Sequence, residues 1–308
     1  MAESETYVYL NGNFVPDKDA VISVRTHALN YGTSVFEGIR GYWNESESRV
    51  YIFRMKEHYE RMGRSCRIMF MNMPHSPDEY CDLTIKLIKM NNPKTDTYIR
   101  PIVYKSSYNI SPALLNNPDG TTIFTAPLGQ YVDIHKGLHV CVSSWKRLTD
   151  NVIPPRGKIG GSYCNAALIV SEAKKSGFDE AITLTNDEKI GEGSAMNLFI
   201  VRNGKLVTST VTDDILEGIT RDTIIHMANE LNIPVETRRI DRSELYICEE
   251  AFFCGTGAQV SPVTMVDHRP IADGNIGPIS KKLQDLYFEI VRGKVEKYKH
   301  WCTPVDIE

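Results

Sequence analysis

The chain has 308 residues, of which 42% are hydrophobic, and 35 Lys+Arg against 39 Asp+Glu leave a formal net charge of -4. This length and composition favour a globular protein with two domains. The balanced charge excludes a basic surface of the kind that binds nucleic acid.

The cysteines and the start of the chain indicate where the protein works. Seven cysteines are scattered without a C-x-x-C pair, and the first residues carry neither a basic n-region nor an apolar h-region. The sequence also contains no apolar run of about 18 residues or more. We therefore expect reduced thiols in the cytoplasm, no zinc ribbon, no export and no membrane insertion.

The first elements are predicted to be β-strands. Tyr7–Leu10 and Asn13–Val15 form a hairpin, because Asn11-Gly12 supplies the two positive-φ positions of a type I′ turn. The next segment, HALNYGTSVFEGIRGY, contains three glycines that would each weaken a helix. We therefore place that segment on a strand with flanking loops.

Two helices and a long strand follow. We expect an amphipathic helix over Lys56–Met71, and the capping box SPDE, with proline at the first helical position, starts a second helix at Ser76. The strand TYIRPIVYKSSY places Tyr98, Arg100 and Tyr104 on one face through its period-two alternation. Arg100 fits either a solvated strand face with an ion pair or a binding role.

A segment rich in turn residues, PLGQYVDIHKG, divides the chain. We predict a smaller N-terminal α/β domain at 1–126, a linker at 127–137 and a larger C-terminal domain at 138–308. Strands in the second domain are expected to alternate with helices at Tyr163–Ser176, Arg221–Asn232 and Pro278–Val291.

The segment NVIPPRGKIGGSY holds Lys158 between a proline pair and a glycine pair. The prolines stiffen the approach, and Gly160 and Gly161 let the backbone turn closely after the lysine. A fixed and partly dry position is what a lysine needs in order to meet a carbonyl as a neutral amine. The alternative is an ordinary loop lysine beside a turn.

Three further sites in the second half have the chemistry of ligand contacts. Gly218-Ile219-Thr220 starts a helix whose free N–H groups attract anions, although a plain threonine N-cap explains the same residues. Gly255-Thr256-Gly257 offers amides and a hydroxyl at a strand end. Glu192 lies between glycines, where it is either a hairpin-turn residue or a carboxylate that a flat ring can approach.

Together, a fixed lysine, an acid beside glycines and two anion-holding turns match the needs of a pyridoxal phosphate (PLP) enzyme. In such an enzyme the lysine forms a Schiff base, an acid pairs with the pyridinium nitrogen, and the phosphate binds at a helix N-terminus. Motifs of kinases, serine hydrolases and zinc proteases do not occur in the sequence.

Seven segments in the same order make the chain resemble the branched-chain aminotransferases of the fold-type IV (class IV) PLP enzymes: NYGTSVFEGIRGY, EHYERM, YIRP, SSWKR with IPPRGKIGGSY, GEGSAMNLF, LEGITRD and FFCGTGAQVSPV. The resemblance covers nearly the whole chain. It implies an α/β (α+β) fold of two domains, with PLP at the domain interface, and a homodimer or higher homo-oligomer.

The resemblance also implies residue roles. Lys158 is the catalytic residue, which forms the Schiff base and carries the proton. Glu192 holds the pyridine nitrogen protonated, and Tyr163 contacts the ring hydroxyl. The remaining implied cofactor contacts are Arg61, Leu216, Ile219, Thr220 and Thr256. The implied substrate contacts are Phe36, Arg40, Tyr98, Arg100, Tyr131, Thr256, Gly257 and Ala258, with Tyr31 lent by a partner subunit.

The implied reaction is a ping-pong transfer of the amino group between L-leucine, L-isoleucine or L-valine and 2-oxoglutarate. Arg100 is the implied receptor for a carboxylate, including that of the glutamate side chain. Other enzymes that share the cofactor site are D-amino acid or R-selective amine transaminases and aminodeoxychorismate lyase, which usually differ in the YIRP and EGIRGY segments. A PLP-binding protein without turnover is disfavoured because every catalytic position is filled.

The chain departs from the family pattern at two places that concern selectivity. Leu128 stands where bacterial relatives often carry an aromatic residue, and GTGAQVSPV stands where they typically have GTAAEITPV. The smaller Gly257 predicts a wider pocket.

Overall fold

The computed structural model describes residues 6–129 and 136–308. The α-helices are α1 His27–Tyr31, α2 Met55–Ile68, α3 Pro77–Asn91, α4 Tyr163–Lys175, α5 Ile219–Glu230 and α6 Pro278–Val291. The strands are β1 Tyr7–Leu10, β2 Asn13–Pro16, β3 Ser34–Phe36, β4 Ile39–Asn44, β5 Arg49–Phe53, β6 Thr97–Lys105, β7 Asp119–Pro127, β8 Leu138–Val142, β9 Glu180–Leu184, β10 Ile190–Gly193, β11 Asn197–Arg202, β12 Lys205–Thr208, β13 Val235–Thr237, β14 Glu250–Gly255, β15 Gln259–Val266, β16 Arg269–Pro270 and β17 Cys302–Asp306.

The contacts divide the chain into two compact units. The first runs to Gly129 and adds Gly157–Gly161 and Glu289–Glu308, and the second comprises the described part of Gln130–Arg156 and Ser162–Phe288. The division after Gly129 falls inside the predicted linker at 127–137. It differs from the predicted 138–308 domain because two later segments belong with the first unit.

The first unit is built on an antiparallel sheet with the strand order β17-β5-β4-β6-β7-β1-β2, and β3 also pairs with β6. The last strand explains part of the difference in domains, since Cys302 pairs with Phe53 and Asp306 with Arg49 across β17 and β5. The long strand β6 alternates as predicted over most of its length, since Tyr98 and Arg100 are half-buried whereas Thr97 and Ile99 are buried. The alternation of burial ends at Val103, and Tyr104, which was predicted to share the face of Tyr98 and Arg100, is buried.

Local sequence signals placed most elements of the first unit correctly. Asn11 and Gly12 have φ of 46° and 96°, which confirms the type I′ hairpin between β1 and β2. The capping box of α3 is also confirmed, because Ser76 Oγ accepts from the Glu79 N–H and the Glu79 carboxylate accepts from the Ser76 N–H.

The prediction for HALNYGTSVFEGIRGY is confirmed in part. β3 and β4 are strands, but His27–Tyr31 forms the short helix α1, which was predicted as loop. None of these five residues is a glycine, and Gly32 ends the helix in the left-handed region with a φ of 67°. The glycines therefore follow the helix and do not interrupt it.

The second unit has a mixed sheet with the strand order β10-β9-β8-β15-β14-β11-β12-β13, and β16 also pairs with β15. The β8–β9, β8–β15 and β12–β13 pairs are parallel, and the others are antiparallel. One face of the sheet buries an apolar cluster that includes Val140, Ile182, Leu198 and Phe253. Burial of such side chains is the main driving force for this unit.

Candidate active site

The backbone of Lys158 is fixed from two sides within the first unit. Its N–H donates to Ser65 Oγ at 3.0 Å, and its carbonyl accepts from the Phe36 N–H at 3.0 Å. The next residue, Ile159, forms an antiparallel bridge with Val35. Helix α2 and strand β3 therefore hold the lysine segment, as expected for a lysine with a defined position.

The two glycines after Lys158 are needed for close approach. Neither has a positive φ, and the backbone turns at once into a short 3-10 helix over Gly160–Ser162, as expected for a close turn after the lysine. A Cβ on Gly160 would lie 2.3 Å from Ser34 Oγ, and a Cβ on Gly161 would lie 3.1 Å from the Gly32 carbonyl oxygen. The Gly161 N–H donates to that same oxygen at 2.9 Å, so the segment lies directly against the turn that follows α1.

The amine of Lys158 and the guanidinium of Arg100 both lie beside the Phe36 ring of the first sheet. Lys158 Nζ is 4.9 Å from the centre of the Phe36 ring, and the guanidinium carbon of Arg100 is 4.3 Å from the same centre. Arg100 Nη2 also donates to the Tyr98 hydroxyl at 2.8 Å. The structure thus brings together Lys158, Phe36, Tyr98 and Arg100.

The contacts of Arg100 differ from the ion pair expected of an arginine on a solvated strand face. Among the described residues no carboxylate pairs with Arg100, and its donors go to the Tyr98 hydroxyl. Gly38 makes this arrangement possible, because a Cβ there would lie 2.3 Å from the same hydroxyl. A half-buried guanidinium without an acid partner has the chemistry of a carboxylate receptor.

Arg40 occupies a different position from Arg100. Its side chain is buried, and its Nη2 donates to the carbonyls of Leu128 and Gly129 at 3.0 Å each and lies 3.5 Å from Asp96 Oδ2. Arg40 therefore holds the chain at the end of β7. Tyr131, which the resemblance places in the substrate pocket, lies outside the described residues.

Tyr31 is the last residue of α1. It is 41% exposed, and its hydroxyl donates to the Ile110 carbonyl of the same chain. Its ring contacts the ring of His27 with centres 4.7 Å apart.

Arg61 forms a fully buried cluster with Glu37 and His58. Arg61 Nε and Nη2 donate to Glu37 Oε1 and Oε2 at 2.7 and 2.8 Å, and His58 Nδ1 lies 2.7 Å from Glu37 Oε2. Because a carboxylate only accepts, His58 donates from Nδ1 and is the Nδ1–H tautomer. Sequence reasoning named Arg61 but missed Glu37 and His58, whose roles depend on contacts 21 and 24 residues apart.

Burial and neighbouring charges shift the pKa values of Glu37 and His58 in opposite directions. Burial would raise the pKa of Glu37, but the charge of Arg61 and the hydrogen bonds from Arg61 and His58 hold it far below the ordinary value. Burial lowers the pKa of His58 below its ordinary 6.5, and Glu37 offsets only part of that effect.

We expect the free energy of unfolding to fall as the pH falls below about 6.5, by at most about 1.4 kcal/mol per pH unit from His58. The unfolded chain binds a proton at His58 in that range, whereas the folded chain resists it. The contribution of Glu37 is lost in the same direction at lower pH, as its carboxylate is forced to protonate. Melting temperatures between pH 7.5 and 5 should be flatter for His58→Asn, which keeps a donor but does not titrate; an unchanged slope would contradict this prediction.

Glu192 is buried in β10 of the second unit. Its Oε2 accepts from Asn197 Nδ2 at 2.8 Å, and its Oε1 accepts from the Leu216 N–H at 3.3 Å and pairs with Arg147. The alternative of a hairpin-turn glutamate is wrong, because Glu192 lies within the strand β10, where only 2% of it is exposed.

Asn197 joins Glu192 to the start of α5. Its Nδ2 also donates to the Leu216 carbonyl at 2.9 Å, and a Cβ on Gly218 would lie 2.0 Å from its Oδ1. The structure therefore brings together Glu192, Leu216 and the helix start that follows. Asn197 and Arg147 lie in the family segments GEGSAMNLF and SSWKR, but no role was predicted for either residue from the sequence.

The start of α5 has the form of an anion site. The N-cap is Gly218, which has no side chain to cap the helix, and Ile219 and Thr220 are its first two helical residues. The alternative of a threonine N-cap is therefore wrong. Arg221 is buried beside them and donates to the Ser209 carbonyl at 3.0 Å, and burial lowers its pKa. A helix N-terminus with this cation nearby attracts negative charge.

The turn Thr256-Gly257-Ala258 joins β14 to β15, as predicted for a tight turn at a strand end. Ser261 Oγ donates to the Ala258 carbonyl at 2.6 Å and supports the turn. A Cβ added to Gly257 would meet no described atom within 4 Å. Tyr163, the other predicted cofactor contact of this unit, is half-buried at the first position of α4.

The sequence and the fold both match known proteins. The family model for amino-transferase class IV matches residues 34–266. The chain belongs to the class IV aminotransferases. A probable branched-chain-amino-acid aminotransferase of Aquifex aeolicus (strain VF5) is 45% identical over 98% of this chain and 97% of its own length.

Two crystal structures show the same family in three dimensions. The branched-chain aminotransferase of the thermophilic archaeon Thermoproteus uzoniensis, solved with norvaline, has a TM-score of 0.94 at 40% identity over 98% of this chain and 99% of its own. The enzyme of Thermobaculum terrenum in its PLP form has a TM-score of 0.93 at 38% identity over 97% of this chain and 98% of its own.

These matches confirm the predicted family, the branched-chain aminotransferases of class IV, and with it the prediction of an enzyme. The predicted fold class is confirmed as well, since helices and sheets follow the same path as in the solved aminotransferases. Across residues 6–129 and 136–308, every helix is too short or too polar to cross a bilayer.

Proposed function

We propose that this aminotransferase uses PLP to move the amino group between L-leucine, L-isoleucine or L-valine and 2-oxoglutarate in a ping-pong reaction. The observation that carries the proposal is the position of Lys158, whose backbone is fixed by Ser65 and Phe36 and whose amine lies beside the Phe36 ring, which Arg100 also contacts.

The side chains of each unit fit PLP. In the second unit Glu192 supplies a buried carboxylate for the pyridine nitrogen, and Asn197 and Arg147 hold that carboxylate in place. The start of α5, with Ile219 and Thr220, and the Thr256 turn would hold the phosphate. In the first unit Arg61 adds a buried cation for the same anion.

When bound, PLP supplies an electron sink for the carbanion that forms at the substrate Cα. Lys158 would hold the cofactor covalently and, once its amine is released, take the proton from that Cα. Glu192 would keep the ring nitrogen protonated, and Tyr163 would contact the ring hydroxyl. Leu216 contributes through its N–H, which fixes Oε1 of Glu192.

The proposed substrate contacts are Phe36, Tyr98 and Arg100 of the first unit, with Arg40, Tyr131 and the turn Thr256-Gly257-Ala258. The open space beside Gly257 supports a wider pocket at this turn. Tyr31 is proposed to serve a partner subunit.

We also propose that the working form is a cytoplasmic homodimer or higher homo-oligomer. The region around α1 supports it, because Val21, Val24, Leu29 and Ile110 are between 62% and 88% exposed. Exposed apolar groups of this size usually mark an interface. Sedimentation of the purified protein as a monomer would contradict the proposal.

The function is tested with a panel of L- and D-amino donors and 2-oxoglutarate. Leucine, isoleucine and valine should give their 2-oxo acids with equal amounts of glutamate. Borohydride reduction before digestion should leave a phosphopyridoxyl group on Lys158, detectable by mass spectrometry. Turnover of D-alanine or of an R-amine in place of the L-donors would refute the assignment, and so would a label on another lysine.

Arg100→Ala is expected to reduce kcat/KM for glutamate about 10- to 100-fold more than for leucine. Only glutamate brings a second carboxylate, and Arg100 has no acid partner among the described residues. Arg49→Ala is the matched control, because Arg49 pairs with Asp306 at a distant exposed edge of the same sheet. Equal losses for the two donors would show that Arg100 does not bind the side-chain carboxylate.

A further inference from the structure

Glu37 lies between β3 and β4, with its side chain completely buried. Its N–H donates to the Pro101 carbonyl on β6 at 3.0 Å, so its backbone is fixed to the sheet. The two side chains that meet it, His58 and Arg61, are three residues apart on α2 and face the same way. Glu37 thus joins the sheet to one face of this helix.

The contact between Glu37 and Arg61 is bidentate. Both carboxylate oxygens take part, at 2.7 and 2.8 Å, and they occupy the side edge of the guanidinium formed by Nε and Nη2. His58 and the Gly38 N–H add contacts to Oε2 at 2.7 and 3.3 Å. This network leaves the plane of the Arg61 guanidinium with one orientation.

Stability alone is a weak reason for such a cluster. Taking a carboxylate and a guanidinium out of water carries a large desolvation penalty for each ion, and a protein with apolar residues of equal volume in their place is often no less stable. A guanidinium that is already fixed can bind a ligand more tightly, because the conformational entropy of its side chain was lost on folding and is not lost again on binding.

The same elements also fix the lysine segment. Phe36, directly before Glu37, donates its N–H to the Lys158 carbonyl, and Ser65, one turn after Arg61 on α2, accepts from the Lys158 N–H. Ser65 Oγ also donates to the Arg61 carbonyl at 3.2 Å. On the sheet, the neighbours Phe36 and Glu37 therefore contact Lys158 and Arg61, respectively. On α2, Ser65 contacts both of those residues.

We propose that Glu37 is a positioning residue that orients Arg61 for binding the phosphate of the cofactor, and that His58 fixes Glu37 in turn. This inference rests on the proposed function, in which Arg61 contacts that phosphate. Glu37 acts through Arg61 and touches neither substrate nor cofactor.

The test compares equilibrium binding of PLP and of pyridoxal, which lacks the phosphate, to the apo-protein. In Glu37→Gln the affinity for PLP divided by the affinity for pyridoxal should fall at least about tenfold. The affinity for pyridoxal itself should stay within about twofold of wild type. Glu37→Asp, whose shorter side chain cannot make both contacts with Arg61, should have an affinity ratio between those of wild type and Glu37→Gln. A thermal melt of each variant confirms first that it is folded, so that binding is compared among folded proteins.

Two further variants separate positioning from loss of stability. Asp119→Asn removes the acid of another buried ion pair of the first unit, in which Asp119 Oδ1 lies 2.9 Å from Lys105 Nζ, and it should leave the affinity ratio unchanged. In an Arg61→Lys background, Glu37→Gln should cause no further loss of the ratio, because its effect passes through Arg61.

The outcomes are distinct. An unchanged ratio in Glu37→Gln, an equal loss of both ligands, or an additive loss in the double variant would overturn the role of Glu37 while leaving the proposed function intact. Wild-type protein that binds no PLP would overturn the proposed function itself.

Discussion

Lys158→Ala is expected to abolish transamination, with a loss on the order of 10⁴-fold or more, as when an enzyme loses its covalent catalytic group. In the proposed mechanism the amine of Lys158 holds the cofactor covalently and takes the proton from the substrate Cα, and an alanine side chain can do neither. The fold should survive, because the contacts that fix this residue to Ser65 and Phe36 use its backbone atoms.

The measurement is the single-turnover rate with leucine, together with a thermal melt. A small amine added to the solution should restore part of the rate, because it replaces the missing group. Lys105→Ala is the control: Lys105 is a buried lysine of the first unit that donates to the carbonyls of Phe70 and Asn117, so its loss should lower the melting temperature and spare the rate. A single-turnover rate of Lys158→Ala within tenfold of wild type would contradict the proposed mechanism.

Glu192→Gln is expected to lower kcat about 10²- to 10³-fold, a loss typical for removal of one well-placed electrostatic group. Glutamine keeps the shape of the side chain but not the charge that would hold the ring nitrogen protonated. Its amide also supplies one acceptor oxygen where the carboxylate has two, and Asn197, the Leu216 N–H and Arg147 all donate to that carboxylate.

Glu250 provides a matched control in the same unit. Its buried carboxylate accepts from the Ile279 and Ser280 N–H groups at 3.0 and 2.6 Å. Both Glu192→Gln and Glu250→Gln should reduce the melting temperature, but only the former should slow the half-reaction with leucine. Equal rates for the two variants would show that the charge of Glu192 has no part in catalysis.

Local signals in the sequence predicted much of the fold. The hairpin at Asn11-Gly12, the capping box at Ser76 and the alternation along β6 each depend on residues within a few positions, so a single sequence suffices to find them. The strand β17 was missed because it is defined by its pairing with β5, about 250 residues earlier, and a short strand without a turn signal carries little local pattern.

The candidate site divides in the same way. Lys158, Glu192 and Thr220 could be found because each lies beside glycines or at a helix start. Glu37, His58, Asn197 and Arg147 could not, because their importance comes from side chains that the fold brings to them. The resemblance to a family supplied residue roles, but these supporting contacts required coordinates.

The discontinuous first unit has a consequence for how the chain folds as it is made. Its sheet lacks the β17 edge until Cys302–Asp306 has been synthesised, and the segment Gly157–Gly161 joins it only after about thirty intervening residues. All of the second unit is therefore synthesised before the sheet of the first unit can be completed. Until then the outer edge of β5 exposes unpaired backbone groups, and the nascent chain is open there to pairing with a neighbouring chain.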